Sequence, residues 1–338
     1  MVAFEGSIFV VYGAIVAALF FDFVNGFHDA ANSIATVVGT RVLRPWQAVS
    51  MAAIANFAGP FIFGTAVAAT VGKGIIQPEF STVYVILAGL VGGIAWDLIT
   101  WWFGLPSSSS HALIGGLIGS ALIAGGLSGI IFPGIEKILI FMVVSPAVGF
   151  AIAASFTVVI MLVFRRSTSV KVNKIFGRLQ VVSSAFFSLT HGANDGQKTM
   201  GVITALLIAG GLLNAEQFVV PLWVVLAAAA AIAFGTFFGG WRIVKTMAFR
   251  LTSLKPYQGF AAETGGGAIL TSMAWLGIPV STTHAISGAI MGTGSTMRFS
   301  AVRWGLGKRI VYAWIITIPA SASIAAATFL LMDAVGIR

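Results

Sequence analysis

The chain has 338 residues, of which 58% are hydrophobic and only 9% charged, and 40 are glycine. That balance excludes a soluble domain and leaves a polytopic membrane protein. The formal charge of +9 falls in short loops, where it reports topology and gives no ground for a nucleic-acid partner; with no cysteine, disulfides, thiol catalysis and cysteine metal sites are excluded.

Apolar runs of about twenty residues, each long enough to cross a bilayer, recur along the chain. A first helix is expected from about residue 7 into a polar string, Asp22, Asn25, His28, Asp29 and Asn32. Only Glu5 is charged before Asp22, which does not fit a signal peptide, so this helix is expected to stay. Arg41 and Arg44 follow on the cytoplasmic side, and a second span is expected over 47–71. The loop 72–80 should be external, and the third run, 82–103, carries Asp97. After a serine cluster and a glycine-rich helix comes a second external loop at 125–136. A long run over 138–164 then ends at Arg165-Arg166.

Residues 165–178 hold five basic residues and divide the chain into a first repeat at 1–164, a cytoplasmic linker and a second repeat at 179–338. The second half brings the string Thr190 to Lys198, an external loop near Asn214 and Glu216, and a span over 219–241. Basic residues at 242–255, Glu263, a second hydroxyl cluster, basic residues at 298–309 and a last span over 310–332 follow.

The hydroxyl cluster occurs twice. G-L-P-S-S-S-S-H at 104–111 aligns without a gap on G-I-P-V-S-T-T-H at 277–284, and the match extends upstream to Trp102 on Trp275 and Gly92-Gly93 on Gly265-Gly266. Proline suits the first turn of a helix, and serine or threonine caps it. Free amides, hydroxyls and the positive end of the helix dipole together make a seat for an anion. Matched copies indicate two structural halves. With about five crossings in each half the second copy is inverted, the plan of many secondary transporters. The expected fold is therefore an all-α polytopic membrane protein of about 10–12 segments, some broken or re-entrant. On that count the first cluster starts near the cytoplasmic side and the second near the external side.

The polar string also repeats. Asp22, Asn25, Asp29 and Asn32 share one helix face. Asp195 falls on Asp29, His191 on Asn25 and Lys198 on Asn32. Carboxylates inside a span are costly and functional by default, and their oxygens with those of amides are hard ligands suited to Na⁺. His28, His111, His191 and His284 could carry protons or ligate metal, although such residues are more often satisfied hydrogen-bonding groups. Asp97, Glu263 and Lys198 are further candidates, and Lys198 could pair with an acid or lie near a phosphate.

N-G-F-H-D-A-A-N at 25–32 and H-G-A-N-D-G-Q-K at 191–198 resemble the paired signatures of the inorganic phosphate transporter (PiT) family. The P-x-S-[ST]-[ST]-H clusters resemble its second repeated motif, and the likeness covers both halves. It implies a symporter, not an enzyme, that takes up inorganic phosphate with Na⁺ or H⁺, as a homodimer in the cell membrane. Carried over, Ser108, Ser109, Ser110, Ser281, Thr282, Thr283, Asn25 and Asn194 would bind phosphate. Asp22, Asn25, Asp29, Asn32, Asn194 and Asp195 would hold Na⁺. The first string departs from the second, with Phe27-His28 where Ala193-Asn194 stands. A sulfate permease of the same family, a channel and a membrane enzyme are the rival readings. A channel fits matched broken helices poorly, and no nucleophile–base motif or phosphate-binding glycine loop is present.

Overall fold

A computed structural model describes residues 8–214, 216 and 218–337; the surroundings of Glu5 lie outside them. Twelve α-helices and no strand are found among the described residues. They are α1 (Ile8–Gly39), α2 (Pro45–Phe63), α3 (Ala66–Lys73), α4 (Val83–Phe103), α5 (Ser109–Gly125) and α6 (Phe132–Val163). The second half follows with α7 (Ser169–Ala209), α8 (Leu222–Phe238), α9 (Trp241–Lys245), α10 (Pro256–Trp275), α11 (Thr282–Ser295) and α12 (Trp304–Ala334). The order of long, broken, paired and long helices is the same in both halves.

Six of the helices are each long and apolar enough to cross a membrane. α8 and the helical segment Trp241–Leu251 are together also long and apolar enough, but they are bent by 55° across a break that holds Gly239, whose φ is +67°. The span expected over 47–71 is also broken: Gly64, at φ +74°, separates α2 from α3. A backbone at positive φ cannot continue a right-handed helix, and glycine adopts it without steric cost. The basic segment 165–178 is not a separate surface linker. From Ser169 it forms the first turns of α7, capped by the Thr168 hydroxyl, which accepts from Lys171 N at 3.4 Å. Lysine, valine, asparagine and isoleucine there are all compatible with a helix, so the long span begins inside the basic run.

Contacts place the loops at two ends. Gly177 of α7 lies against Val42, next to Arg41. At the same end Arg303 N donates to Leu251 O at 3.0 Å. At the other end Lys73 stands over the Phe218 ring, 5.2 Å from its centroid, and Ile76 bridges to Ile130. α4 starts at this second end, and Phe80 lies against Gly125 at the end of α5. α4 and α5 therefore form a hairpin entering and leaving by one end. α10 and α11 form the corresponding hairpin from the basic end, where Gln258 Nε2 donates to Thr293 O at 3.0 Å. Because both clusters sit at hairpin tips, they do not lie near opposite membrane faces; they meet inside the protein.

The halves interlock. α2 packs on α7 and α8 on α1, while α5 packs on α12 and α11 on α6. Glycine permits the closest crossings: a Cβ on Gly26 would stand 2.2 Å from Ile232 O, and one on its counterpart Gly192 2.2 Å from Asn56 O. Such small-residue contacts let membrane helices pack backbone to backbone. Outward-facing Phe9, Ile54, Val143, Val163, Leu222 and Leu331 are exposed, giving an apolar circumference suited to lipid. The polar residues of the two strings face inward and are buried, so the protein is a multi-pass membrane protein with a polar interior.

Candidate transport site

Two hairpin tips and the middles of α1 and α7 build the site. Gly104 and Gly277 take φ +64° and +63° and turn the chain sharply after α4 and α10. Pro106 and Pro279 then lie in a non-helical segment before the helix, not in its first turn as the sequence suggested. Ser108 and Ser281 are the caps: their hydroxyls accept from His111 N at 3.3 Å and His284 N at 3.2 Å. Ser109, Ser110, Thr282 and Thr283 occupy the first helical turn with buried hydroxyls.

The two polar strings converge on these tips. Oxygen or nitrogen atoms of Asp29, His191 and Asp195 all lie within 4.8 Å of one another, fully enclosed. Asp29 Oδ1 is 2.6 Å from His28 Nδ1. His28 Nε2 lies 3.1 Å from Thr100 Oγ1 and 3.3 Å from Ser107 Oγ, which ties α1 to the first hairpin. Ser109 Oγ is 3.4 Å from His28 Nδ1. On the other string, His191 Nε2 is 3.1 Å from Asp195 Oδ2, and His191 Nδ1 is 3.2 Å from Asn56 Oδ1. Thr282 donates to Asp195 Oδ2 at 2.9 Å, and Ser110 lies 3.4 Å from Asp195 Oδ1. Asn32 Nδ2 donates to Thr283 at 2.9 Å and to Thr282 at 3.3 Å. Lys198 forms a short ion pair with Asp195 Oδ1 and a short hydrogen bond to Ser110, and it donates to Val280 O at 2.9 Å.

Not every expected residue joins this centre. The Asn194 amide donates to Thr190 O at 2.9 Å and Leu270 O at 3.1 Å, which holds α7 against α10. Glu263 lies in a separate buried network with Thr36, Gln180 and Ser183. Asp22 and Asn25 lie one to two turns from Asp29 along α1. Asp22 neighbours Thr199 and feels the charges of Asp195 and Lys198. Asp97 is buried in the neighbourhood of His28 and Asp29. Asn56 was not singled out in the sequence, although an amide inside the apolar run 51–63 is the signal that marks such a residue. It holds His191 and receives its own support from Thr236, to which Asn56 Nδ2 donates at 2.8 Å.

Chemically, the arrangement offers two helix N-termini, four hydroxyls, at least three carboxylates and one ammonium in a buried setting. Hydroxyls and amides suit an anion's oxygens, whereas carboxylates need cations.

The chain matches the sequence profile of the "Phosphate transporter family" over residues 25–325. It is 54% identical over 326 residues to "Probable low-affinity inorganic phosphate transporter" of Rhizobium meliloti (strain 1021), covering 96% of this chain and 97% of that protein. A protein of the same name from Bacillus subtilis (strain 168) is 42% identical, with 94% and 96% covered. A solved structure titled "The sodium-dependent phosphate transporter" superimposes with a TM-score of 0.85 at 25% identity, covering 97% of this chain and all of that one. With the paired strings and the paired clusters joined at one buried centre, this chain belongs to the phosphate transporter family.

Proposed function

We propose that the protein imports inorganic phosphate together with Na⁺ by alternating access. The observation that carries this reading is the charge balance at the hairpin tips. Asp29 and Asp195 approach each other beside the N-termini of α5 and α11, with Asp22 close by and Lys198 as the ammonium there. An anion brought to this place meets more negative than positive charge, so its burial needs co-bound cations. Each ligand then strengthens the other's binding, and the coupling is reciprocal. Asp29, with Asn25 and Asn32 a turn away on the same face of α1, offers oxygens for Na⁺, while Ser109, Ser110, Thr282 and Thr283 face the phosphate. Carboxylate acceptors beside these hydroxyls favour hydrogenphosphate, which can donate a hydrogen bond, over sulfate, which cannot. The solved relative's title names sodium, which supports the choice of ion.

The halves at 1–164 and 179–338 are proposed as an inverted repeat, since α5 and α11 start together and lead to opposite ends. Rocking of the interlocked bundles about the hairpin tips would open the site to each side in turn. The family resemblance also implies a homodimer, which cross-linking in native membranes would test.

Proton coupling is a second reading. It is favoured by the histidine on each central carboxylate, His28 on Asp29 and His191 on Asp195. Uptake of radiolabelled phosphate and sulfate into proteoliposomes separates the readings. A Na⁺ gradient should drive phosphate accumulation that sulfate does not compete for. Equal uptake from a proton gradient without Na⁺ overturns sodium coupling, and equal transport of sulfate overturns the substrate.

A further inference from the structure

The two strings reach across to the opposite hydroxyl clusters by matching contacts, with one exchange of chemistry. From α1, Asn32 Nδ2 donates to Thr283 Oγ1 at 2.9 Å. The counterpart of Asn32 on α7 is Lys198, the counterpart of Thr283 on α5 is Ser110, and Lys198 Nζ donates to Ser110 Oγ. One half therefore presents a neutral amide where the other presents an ammonium. Lys198 is 2% exposed, and its three acceptors, Ser110 Oγ, Asp195 Oδ1 and Val280 O, match the three N–H bonds of a charged amine.

We infer that Lys198 is a tethered counter-cation of the transport site, standing on Asp195 where a mobile coupling ion would otherwise bind. This inference rests on the cation-coupled phosphate reading. The ammonium lies between a carboxylate and a hydroxyl at the N-terminus of α5, so it neutralises Asp195 before phosphate arrives and offers the incoming anion a fixed positive charge. Being covalently part of α7, it does not cross with the phosphate. The mobile cations are left to the Asp29 side, where the string carries Asn32 and no ammonium. The two halves are thus unequal in function: one carboxylate is served by the protein's own charge, the other by an ion from solution. The protein consequently moves one cation fewer per phosphate than a site with Asn at both positions.

The test is Lys198→Asn, which gives α7 the residue that α1 already has. The purified full-length protein is titrated with radiolabelled phosphate at a series of Na⁺ concentrations, ionic strength being held with N-methylglucamine chloride. The slope of log apparent Kd against log Na⁺ counts the cations bound with phosphate. It should become steeper by one ion in Lys198→Asn, and the charge moved per phosphate in proteoliposomes should rise by one. In Lys198→Asn/Asp195→Asn both charges are gone, and the slope should return to that of the unsubstituted protein. A Lys198→Asn slope equal to the unsubstituted one overturns the inference and leaves Lys198 as a structural ion pair. Loss of phosphate binding at every Na⁺ concentration in a protein that still melts cooperatively also overturns it. If Lys198→Asn does not fold, Lys198→Gln takes its place in the same titration with the same expected outcomes, and a slope shallower by one in the double variant shows that Asp195 held a mobile ion despite the lysine and overturns the inference. Should the unsubstituted protein use H⁺ instead of Na⁺, the same titration against pH replaces the sodium series. Failure of the sodium reading is thereby kept apart from failure of the lysine inference.

Discussion

His111 and His284 stand edge to face with their ring centroids 4.7 Å apart, although they close the first and second hydroxyl clusters of the chain. Asp29 and Asp195, matched positions of the two polar strings, likewise come within reach of a shared ligand. Equivalent positions of both repeated motifs thus meet where the hairpin tips reach α1 and α7. His284 is further fixed by stacking on Trp314, centroids 3.9 Å apart, and Trp314 Nε1 donates to Pro106 O at 2.9 Å. The first tip is thus held by Trp314 of the second half, and at the second tip His284 Nδ1 lies 3.3 Å from Met142 O of the first half.

The first-turn hydroxyls should carry phosphate affinity. Ser110→Ala with Thr283→Ala removes two donors at the helix ends, and each lost hydrogen bond to a charged group should cost about 1.5–3 kcal/mol. Radiolabelled phosphate binding to the purified double variant should weaken by at least about tenfold, since about 1.4 kcal/mol is a factor of ten. An affinity unchanged from the parent would remove these residues from the site.

The capping serines should behave differently. Ser108 and Ser281 accept backbone hydrogen bonds within their own helices. Ser281→Ala should lower stability by about 0.5–2 kcal/mol, the usual cost of a lost cap. Its phosphate affinity should fall less than that of Thr283→Ala. Thermal unfolding and binding measured on the same preparation check this, and the reverse order would make Ser281 a ligand.

Asp29→Asn and Asp195→Asn preserve shape and remove charge. Both should abolish concentrative phosphate uptake in proteoliposomes, because the site then lacks a carboxylate that answers to the co-bound cations or to Lys198. Accumulation at the parental level in either variant would exclude that carboxylate from coupling.

Helix crossing distance should be as sensitive as the site itself. Gly192→Ala places a methyl group 2.2 Å from Asn56 O, a backbone atom that cannot move without shifting α2. A loss of about 1–3 kcal/mol is expected from such overpacking. The melting temperature of the purified variant should drop clearly below the parent's. An unchanged value would show that α2 and α7 separate freely.

Loop positions divide between two ends, and single cysteines can report them, since the chain has none of its own. Cysteine at Arg41 or Lys174 should label from one side of sealed, uniformly oriented vesicles. Cysteine at Lys73 or Asn214 should label from the other. Labelling of both groups by an impermeant thiol reagent added to a single side would refute the arrangement.

Composition alone decided that this chain lives in a bilayer, because so few charges among so many apolar residues leave no soluble alternative. The paired strings and clusters singled out the candidate residues, because a carboxylate or a run of hydroxyls in an apolar chain is costly to bury. The breaks within spans were not legible in this way: 47–71 and 219–241 read as single spans, and the structure interrupts them at Gly64 and Gly239, both at positive φ. What sequence spacing could not decide is which copies face each other. Depth along a helix depends on whether a span crosses or returns, and α4 with α5 reads locally as two apolar helices either way. Only the packing of α5 on α12 and α11 on α6 brings the two tips together. The partner of a buried charge is likewise a tertiary property. Nothing in the spacing of Asp195 and Lys198 says that the ammonium would also find Ser110 and Val280 O, and nothing local places Glu263 with Thr36 and Ser183, apart from the transport centre. Those choices follow from which buried polar groups the interlocked helices bring within reach of one another.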